Sequence, residues 1–231
     1  NKLILAIKQL KQNNEQMQTK SQNRTSYLWV YDGTNCPKCS KLDGRVFDTM
    51  PDKNTTSHPG CKCTIEEISS GEAEQRKAEH EDDLGRRDKA IQHIEDIAYD
   101  KSHGECATNV RKAVEKGIDK KIEIPKKRYE DASGASACDY GPSYEDAGFD
   151  KIYTHNQDSR VFKPKDLNYQ KGDIMITQPA EGHRHGHIAM HDGEKWVSDF
   201  PQNNPDGIIW NDVDPKNIEY DVYRNPKWND W

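Results

Sequence analysis

Apolar positions along the chain first recur at helical spacing. Over residues 2–20, Leu3, Ile7 and Leu10 fall on one stripe among Gln, Asn and Lys, which predicts a helix. Ser26 to Tyr31 (S-Y-L-W-V-Y) is aromatic and β-branched and reads as a strand. A turn, a cysteine knuckle and a short strand around Val46 and Phe47 follow, and the block closes with H-P-G-C-K-C-T-I. Residues 66–101 are dense in Glu, Lys, Arg and Asp, and only Ile91, Ile94 and Ile97 or Ala98 make a helical stripe. A solvated helical linker is expected there, with a boundary near residue 85. The helical period returns at Cys106, whose face carries Val110 and Val114, and Gly117 reads as its C-cap. Ile118 to Arg128 is basic and turn-rich, and a small-residue loop then leads into a short helix capped at Gly148. From Lys163 the pattern is that of strands: K-G-D-I-M-I-T-Q, opened by Gly172-Asp173, then G-H-I-A-M-H, K-W-V-S-D-F and Y-D-V-Y-R. Four short strands after a leading helix give an α+β architecture.

Composition narrows the picture. Of 231 residues, 32% are hydrophobic and 32% charged, so the cores are modest. A net charge of −6 with both signs interspersed argues against nucleic acid as a partner. No run of eighteen apolar residues occurs, so no membrane span is expected. The first ten residues are too short and polar-flanked for a signal peptide, so reaching a periplasm would depend on another carrier. The cysteines fall into two groups: Cys36, Cys39, Cys61 and Cys63 crowd together, while Cys106 and Cys138 lie in the second half. That division separates residues 1–65, a helix plus a small Cys-rich module, from a linker over 66–85 and a domain over 86–231.

The first group has the spacing Cys-x-x-Cys, twenty-one residues, Cys-x-Cys. It suits a tetrahedral thiolate site for a structural zinc, with His58 as a substitute ligand. Two disulfides are the alternative in a secreted protein. In the second group, a thiol in the first turn of a helix feels the positive end of the macrodipole, which lowers its pKa. A small buried apolar residue is the plainer reading of Cys106. H-R-H-G-H-I-A-M-H-D-G tips the balance by setting His183, His185, His187 and His191 on or near a strand. Alternate strand residues share a face, so His183, His185 and His187 form a rival metal set. Cys138 is expected in the core.

A cysteine at a helix start followed by a histidine on a downstream strand is the order of the papain-like NlpC and CHAP peptidoglycan hydrolases. Three blocks carry a resemblance to type VI secretion amidase effectors over about Ser102 to Arg224. They are G-E-C-A-T-N-V-R-K-A, A-C-D-Y-G-P-S-Y-E-D-A-G-F, and Q-K-G-D-I-M-I-T-Q-P with G-H-I-A-M-H-D-G-E-K-W-V-S-D-F. The resemblance implies a papain-like domain, its Cys-bearing helix packed on an antiparallel sheet, in an antibacterial effector of bacterial or phage origin. Such a protein is delivered into a target periplasm, cleaves a peptide amide in peptidoglycan without a catalytic cofactor, and has a cognate immunity protein. Tyr140 stands where the family has a Tyr-Gly beside the cleft, which makes it a substrate-positioning candidate or a packed core tyrosine. Separately, W-V-Y-D-G-T-N-C-P-K-C-S-K-L-D-G-R-V-F with H-P-G-C-K-C resembles the C-terminal part of Mu-type phage minor head proteins. It implies docking to a secretion or phage particle component.

In this reading Cys106 attacks an amide carbonyl, His187 shuttles the proton, and the helix N-terminus meets the oxyanion. Asp199 is the expected orienting group. A two-residue Asp192-Gly193 turn would set Ser198 opposite His187, whereas a three-residue loop through Glu194 would set Asp199 there. The longer loop also gathers Ile188, Met190, Trp196 and Phe200 on one face and His187, Ala189, Val197 and Asp199 on the other. The alternatives are a protein-directed cysteine protease or deamidase, and a zinc-stabilised phage structural or adaptor module.

Overall fold

The computed structural model describes residues 25–31, 39, 42–132, 134–156, 167–202, 213 and 217–230. The helix expected over residues 2–20 lies outside them, as does Cys36. The chain divides into two compact units, residues 1–82 with 230–231, and residues 83–229. Among the described residues no helix is long and apolar enough to cross a membrane.

The first unit is a three-stranded antiparallel sheet in the order β2-β1-β3, with β1 Thr25–Val30, β2 Val46–Phe47 and β3 Thr64–Ser69. A one-turn helix, α1 (Lys53–Thr56), is capped by Asp52, whose side chain accepts from Asn54 N. Strand alternation sends Leu28 to one face, with Val46 and Ile68, and Trp29 to the other, with Leu42, Cys39 and Cys63. β3 corrects the expected linker. Residues 66–69 belong to a strand, because Ile65 and Ile68 pair with Trp29 and Ser26 of β1 while the glutamates between them stay outside.

A long helix, α2 (Ser70–Ile97), is solvated over most of its length; its tail buries Ala90, Ile91 and Ile94 in the second unit. There, α3 (Cys106–Ile118) adds Val110, Ala113 and Val114 to the same core. Fully burying each of these valines and isoleucines contributes roughly 1.5–3 kcal/mol. Gly117 is not the cap of α3. It lies inside the last turn, where a Cβ would come within 2.8 Å of Arg86 O and 2.9 Å of Ala90 Cβ, so its missing side chain lets two helices touch. The left-handed cap is Asp119, φ 51°.

These helices pack on a five-stranded antiparallel sheet in the order β4-β8-β5-β6-β7. Its strands are β4 Asp150–His155, β5 Ile174–Thr177, β6 His187–His191, β7 Trp196–Val197 and β8 Tyr220–Arg224. α4 (Gly141–Asp146) precedes β4. One sheet face gives Ile174, Ile176, Ile188, Met190 and Val197 to the helical core; the other carries Met175, Ala189, Trp196, Tyr220 and Val222. β4 is a strand the pattern did not announce, because as an edge strand it buries little.

The β6–β7 hairpin takes neither expected register. Met190 faces Val197 and His191 faces Trp196, and Asp192 N donates to Lys195 O at 2.9 Å, so the turn is Gly193-Glu194. The Asp192 carboxylate dictates this by accepting from Glu194 N at 2.7 Å and Lys195 N at 2.8 Å. Val197 therefore shares the face of Ile188 and Met190, and Trp196 takes the other.

Gly172-Asp173 leads into β5. Asp173 is 0% exposed and receives Arg224 Nε at 2.7 Å and Nη2 at 2.6 Å, a two-pronged pair locking β5 to β8. Truncating one partner leaves the other charge buried and unpaired, so Asp173→Ala should lose about 3–5 kcal/mol of stability, read by urea denaturation.

Candidate active site

The site forms where α3 begins. Helix N-termini leave backbone N–H groups without partners, and Glu105 at the N-cap supplies no side-chain bond. The group that meets them comes from the sheet. Beyond β7 the chain doubles back, with Ser198 N donating to Phe200 O and Gln202 N to Trp196 O, and this tight turn pushes out Asp199. Asp199 Oδ2 accepts from His103 N at 2.7 Å, Glu105 N at 3.0 Å and Ser102 Oγ at 3.3 Å; Oδ1 accepts from Ser198 Oγ at 3.1 Å. Burial alone would raise this carboxyl. The N–H groups of Glu105 and His103 and the Ser198 hydroxyl outweigh it and hold the pKa below the usual range.

Cys106 follows directly. Helix α3 packs on β6, and the Ile188 backbone N–H points at the Cys106 sulfur, with the N–H groups of Ala107 and Cys106 itself. The residue keeps a partly exposed surface, yet its sulfur is crowded by protein atoms. Burial, reinforced by the Asp199 charge, pushes the thiol up to about 11 against those three N–H groups. This corrects the expectation that the helix end lowers it: desolvation is the larger effect.

His187 opens β6 and is 5% exposed. Gly186 before it has φ +64°, and a Cβ there would press within 3.0 Å of Cys138 Cβ, so only glycine lets the chain pass into β6. Burial lowers the His187 pKa to about 4 although the Asp199 charge raises it, so the ring is neutral at pH 7. Its Nε2 lies 2.6 Å from the amide nitrogen of Gln202, whose Oε1 is buried without a partner. Rotating that amide by half a turn brings Oε1 to the ring, where it accepts Nε2–H and leaves the Nδ1 lone pair available. Sequence reasoning missed Gln202. Nothing in P-Q marks it, and only the turn after β7 carries it back beside His187.

The expected arrangement changes in consequence. Among the described residues no hydrogen bond joins Asp199 to His187, because the carboxylate is spent on the turn before Cys106. Asp199 acts on both residues through its charge instead. Tyr140, 3% exposed, packs in the core near Tyr144; its hydroxyl pairs with Arg111, and it lies close enough to Cys106 to feel its charge. Cys138 is buried, and its N–H donates to His185 O. His183, His185 and His187 do not converge as a metal set: His185 Nδ1 meets Ser136 Oγ at 2.9 Å while His187 faces Gln202. Among the described residues the group that could hold an ion is Cys39, His58 and Cys61.

Fold and site together define an α+β domain in which a helix N-terminus sets a cysteine against a histidine-bearing strand of an antiparallel sheet. No family model matches the chain, and no curated protein matches it. Two solved structures do: chains of the native and the selenomethionine forms of the type VI effector–immunity complex Tae3-Tai3 from Ralstonia pickettii. Identity is 32% and 33%, over 60% and 59% of this chain and 97% and 99% of those chains, with TM-scores of 0.43 and 0.42. The similarity is one of sequence to a chain of that complex and spans nearly all of the matched chain.

Two outcomes follow from the electrostatics. With its thiol near 11, Cys106 is protonated at neutral pH, and each pH unit below 11 cuts the thiolate tenfold. Its alkylation by iodoacetamide, followed by peptide mass spectrometry in the full chain, should run roughly a hundredfold slower at pH 8 than for a free thiol and climb up to pH 10. Asp199→Asn should cost about 1.5–3 kcal/mol through its lost charge-assisted bonds, measured by thermal melting. It should also speed alkylation of Cys106 at fixed pH, because the charge opposing the thiolate is gone.

Proposed function

We propose that the second unit is the catalytic domain of an antibacterial type VI effector that hydrolyses a peptide amide bond in peptidoglycan, with Cys106 as nucleophile and His187 as general base and acid. The observation that carries the reading is the seat of Cys106. A partly exposed cysteine at a helix N-terminus, its sulfur crowded by protein atoms, faces the first residues of the strand that begins with a neutral, buried histidine. Substrate, delivery into a target periplasm and a cognate immunity partner rest on the kinship with a protein solved as an effector–immunity complex and on the resemblance of the three blocks to amidase effectors.

The chemistry follows from the resting protonation states. Thiol and imidazole are both neutral, so the proton moves to His187 as the sulfur attacks the carbonyl carbon rather than beforehand. The C–S bond forms and the carbonyl oxygen becomes an oxyanion, met by backbone N–H at the start of α3. His187 then gives its proton to the leaving amine as the C–N bond breaks, leaving a thioester. Water, deprotonated by His187, attacks the thioester and releases the acid and the thiol. The Asp199 charge favours the imidazolium that forms in between, and Gln202 holds the ring's orientation.

Incubation with cell-wall sacculi and analysis of the released muropeptides tests this. Wild type should release new amine and acid ends. Cys106→Ala and His187→Ala should each lose at least a thousandfold, with no further loss in the double variant because the two act as one unit. Cys106→Ala should melt within about 1 kcal/mol of wild type. Full hydrolysis by Cys106→Ala would overturn the mechanism, and activity on folded proteins but not on sacculi would overturn the substrate.

A further inference from the structure

The first unit holds a second constellation with no part in this chemistry. Cys39 Sγ lies 3.1 Å from His58 Nε2, 3.5 Å from Cys61 Sγ and 3.2 Å from Ser57 Oγ. The three ligand-type atoms of Cys39, His58 and Cys61 all fall within 4.8 Å of one another. The separation of the two sulfurs rules out a disulfide between Cys39 and Cys61 in this arrangement, since a bonded pair stands at about 2.05 Å.

Local sequence builds the cluster. In His58-Pro59-Gly60-Cys61, Cys61 N donates to His58 O at 3.2 Å and Gly60 takes φ +78°. Proline second and a left-handed glycine third are the residues a type II turn demands. The turn folds His58 and Cys61 toward a common side as a knuckle. His58 Nδ1 lies 3.0 Å from Pro59 O; donation of Nδ1–H to that carbonyl leaves the Nε2 lone pair aimed at the sulfurs. Metal-ligating histidines are held in this way, one ring nitrogen fixed by a carbonyl and the other presented to the ion. Trp29, Leu42, Ile65 and Phe47 wall the cluster from the sheet side.

We infer that Cys39, His58 and Cys61 bind a zinc ion, with His58 as a ligand in its own right and Cys63 as an outer group. Two thiolates and an imidazole are the donors that zinc takes tetrahedrally, and they disfavour magnesium and calcium, which require oxygen. Of the four cysteines expected from spacing, Cys36 lies outside the described residues. Cys63 lies outside the group of three; its thiol instead hydrogen-bonds Cys61. Hydrogen bonding to a coordinated sulfur is an outer role whose loss costs roughly 10–100-fold in affinity.

The test uses the full chain purified under reducing conditions without added metal, then stripped with chelator and titrated with Zn²⁺ or Co²⁺. About one equivalent of zinc per chain is expected, and Co²⁺ should give the intense visible bands of a tetrahedral site with thiolate charge transfer. Cys39→Ser, Cys61→Ser and His58→Ala should each weaken Co²⁺ binding by more than a hundredfold. Cys63→Ser should keep the tetrahedral spectrum with a smaller loss. His58→Cys guards against simple misfolding: it should restore binding and raise the charge-transfer intensity by one thiolate. Failure of wild type to take up either ion, a Cys39–Cys61 disulfide in non-reducing peptide maps, or a Cys63→Ser variant as defective as Cys39→Ser would overturn the assignment.

Discussion

The bond set on which the second unit turns is the one between the Asp199 carboxylate and the turn before α3. A helix start is a row of unpartnered N–H groups, and here it is answered by a charge from the far end of a hairpin. One fully buried carboxylate thereby joins two parts of the chain nearly a hundred residues apart. It fixes where α3 begins, hence where Cys106 points relative to β6. Because its oxygens are filled by Ser102, His103, Glu105 and Ser198, the carboxylate orients the turn before Cys106 instead of the histidine, and the histidine takes another partner. Gln202 is delivered by the same chain reversal that delivers Asp199. One three-residue turn therefore places both supporting groups.

That architecture sets the electrostatics of the pair. A helix dipole and three N–H groups favour the thiolate, but the sulfur is crowded and a full negative charge sits nearby, and the sum lies on the side of the neutral thiol. The same burial keeps His187 neutral. Both residues are neutral at rest, so an electrophile or an oxidant meets a thiol rather than a thiolate. In the proposed mechanism the charged state is reached only while a substrate carbonyl accepts the electrons.

How far the chain could be read from sequence depended on how local each determinant was. The order of a cysteine-bearing helix before a histidine-bearing strand is written in periodicity, and those are the elements the fold sets against each other. β4 and β3 were illegible for a common reason: an edge strand that buries little, and a strand with glutamates between its two isoleucines, lack the apolar alternation that marks a strand. The hairpin register hangs on a single side chain: the sequence pattern puts Asp192 inside the turn, whereas its carboxylate closes the turn from outside. Asp199 was legible as a polar residue near the site but not in its role, and Gln202 was not legible at all. Both depend on a reversal whose hydrogen bonds carry no composition signature. Gly117 misled because glycine signals both a helix end and a close helix crossing, and only the neighbour across the gap distinguishes them.

The two units also differ in how they can be stable. In the second, two helices and a five-stranded sheet enclose a continuous core reaching from Ala90 to Trp228, and a buried ion pair fixes its strand order without any covalent help. The first has a three-stranded sheet with small apolar clusters on both faces. A single small core of that kind supplies only about 3–5 kcal/mol, which is why natural domains of this size add disulfides or metals. Its cysteines stand on the face where Trp29 is the only large side chain among the fully buried residues. An ion held by Cys39, His58 and Cys61 would tie the knuckle after α1 to Cys39 between β1 and β2, which no strand pairing joins among the described residues. The separation of cysteines into two groups then has one physical origin. If Cys106 is the nucleophile and Cys39, His58 and Cys61 hold an ion, the larger unit is stable enough to reserve a thiol for reaction, while the smaller one uses its thiols to hold itself together.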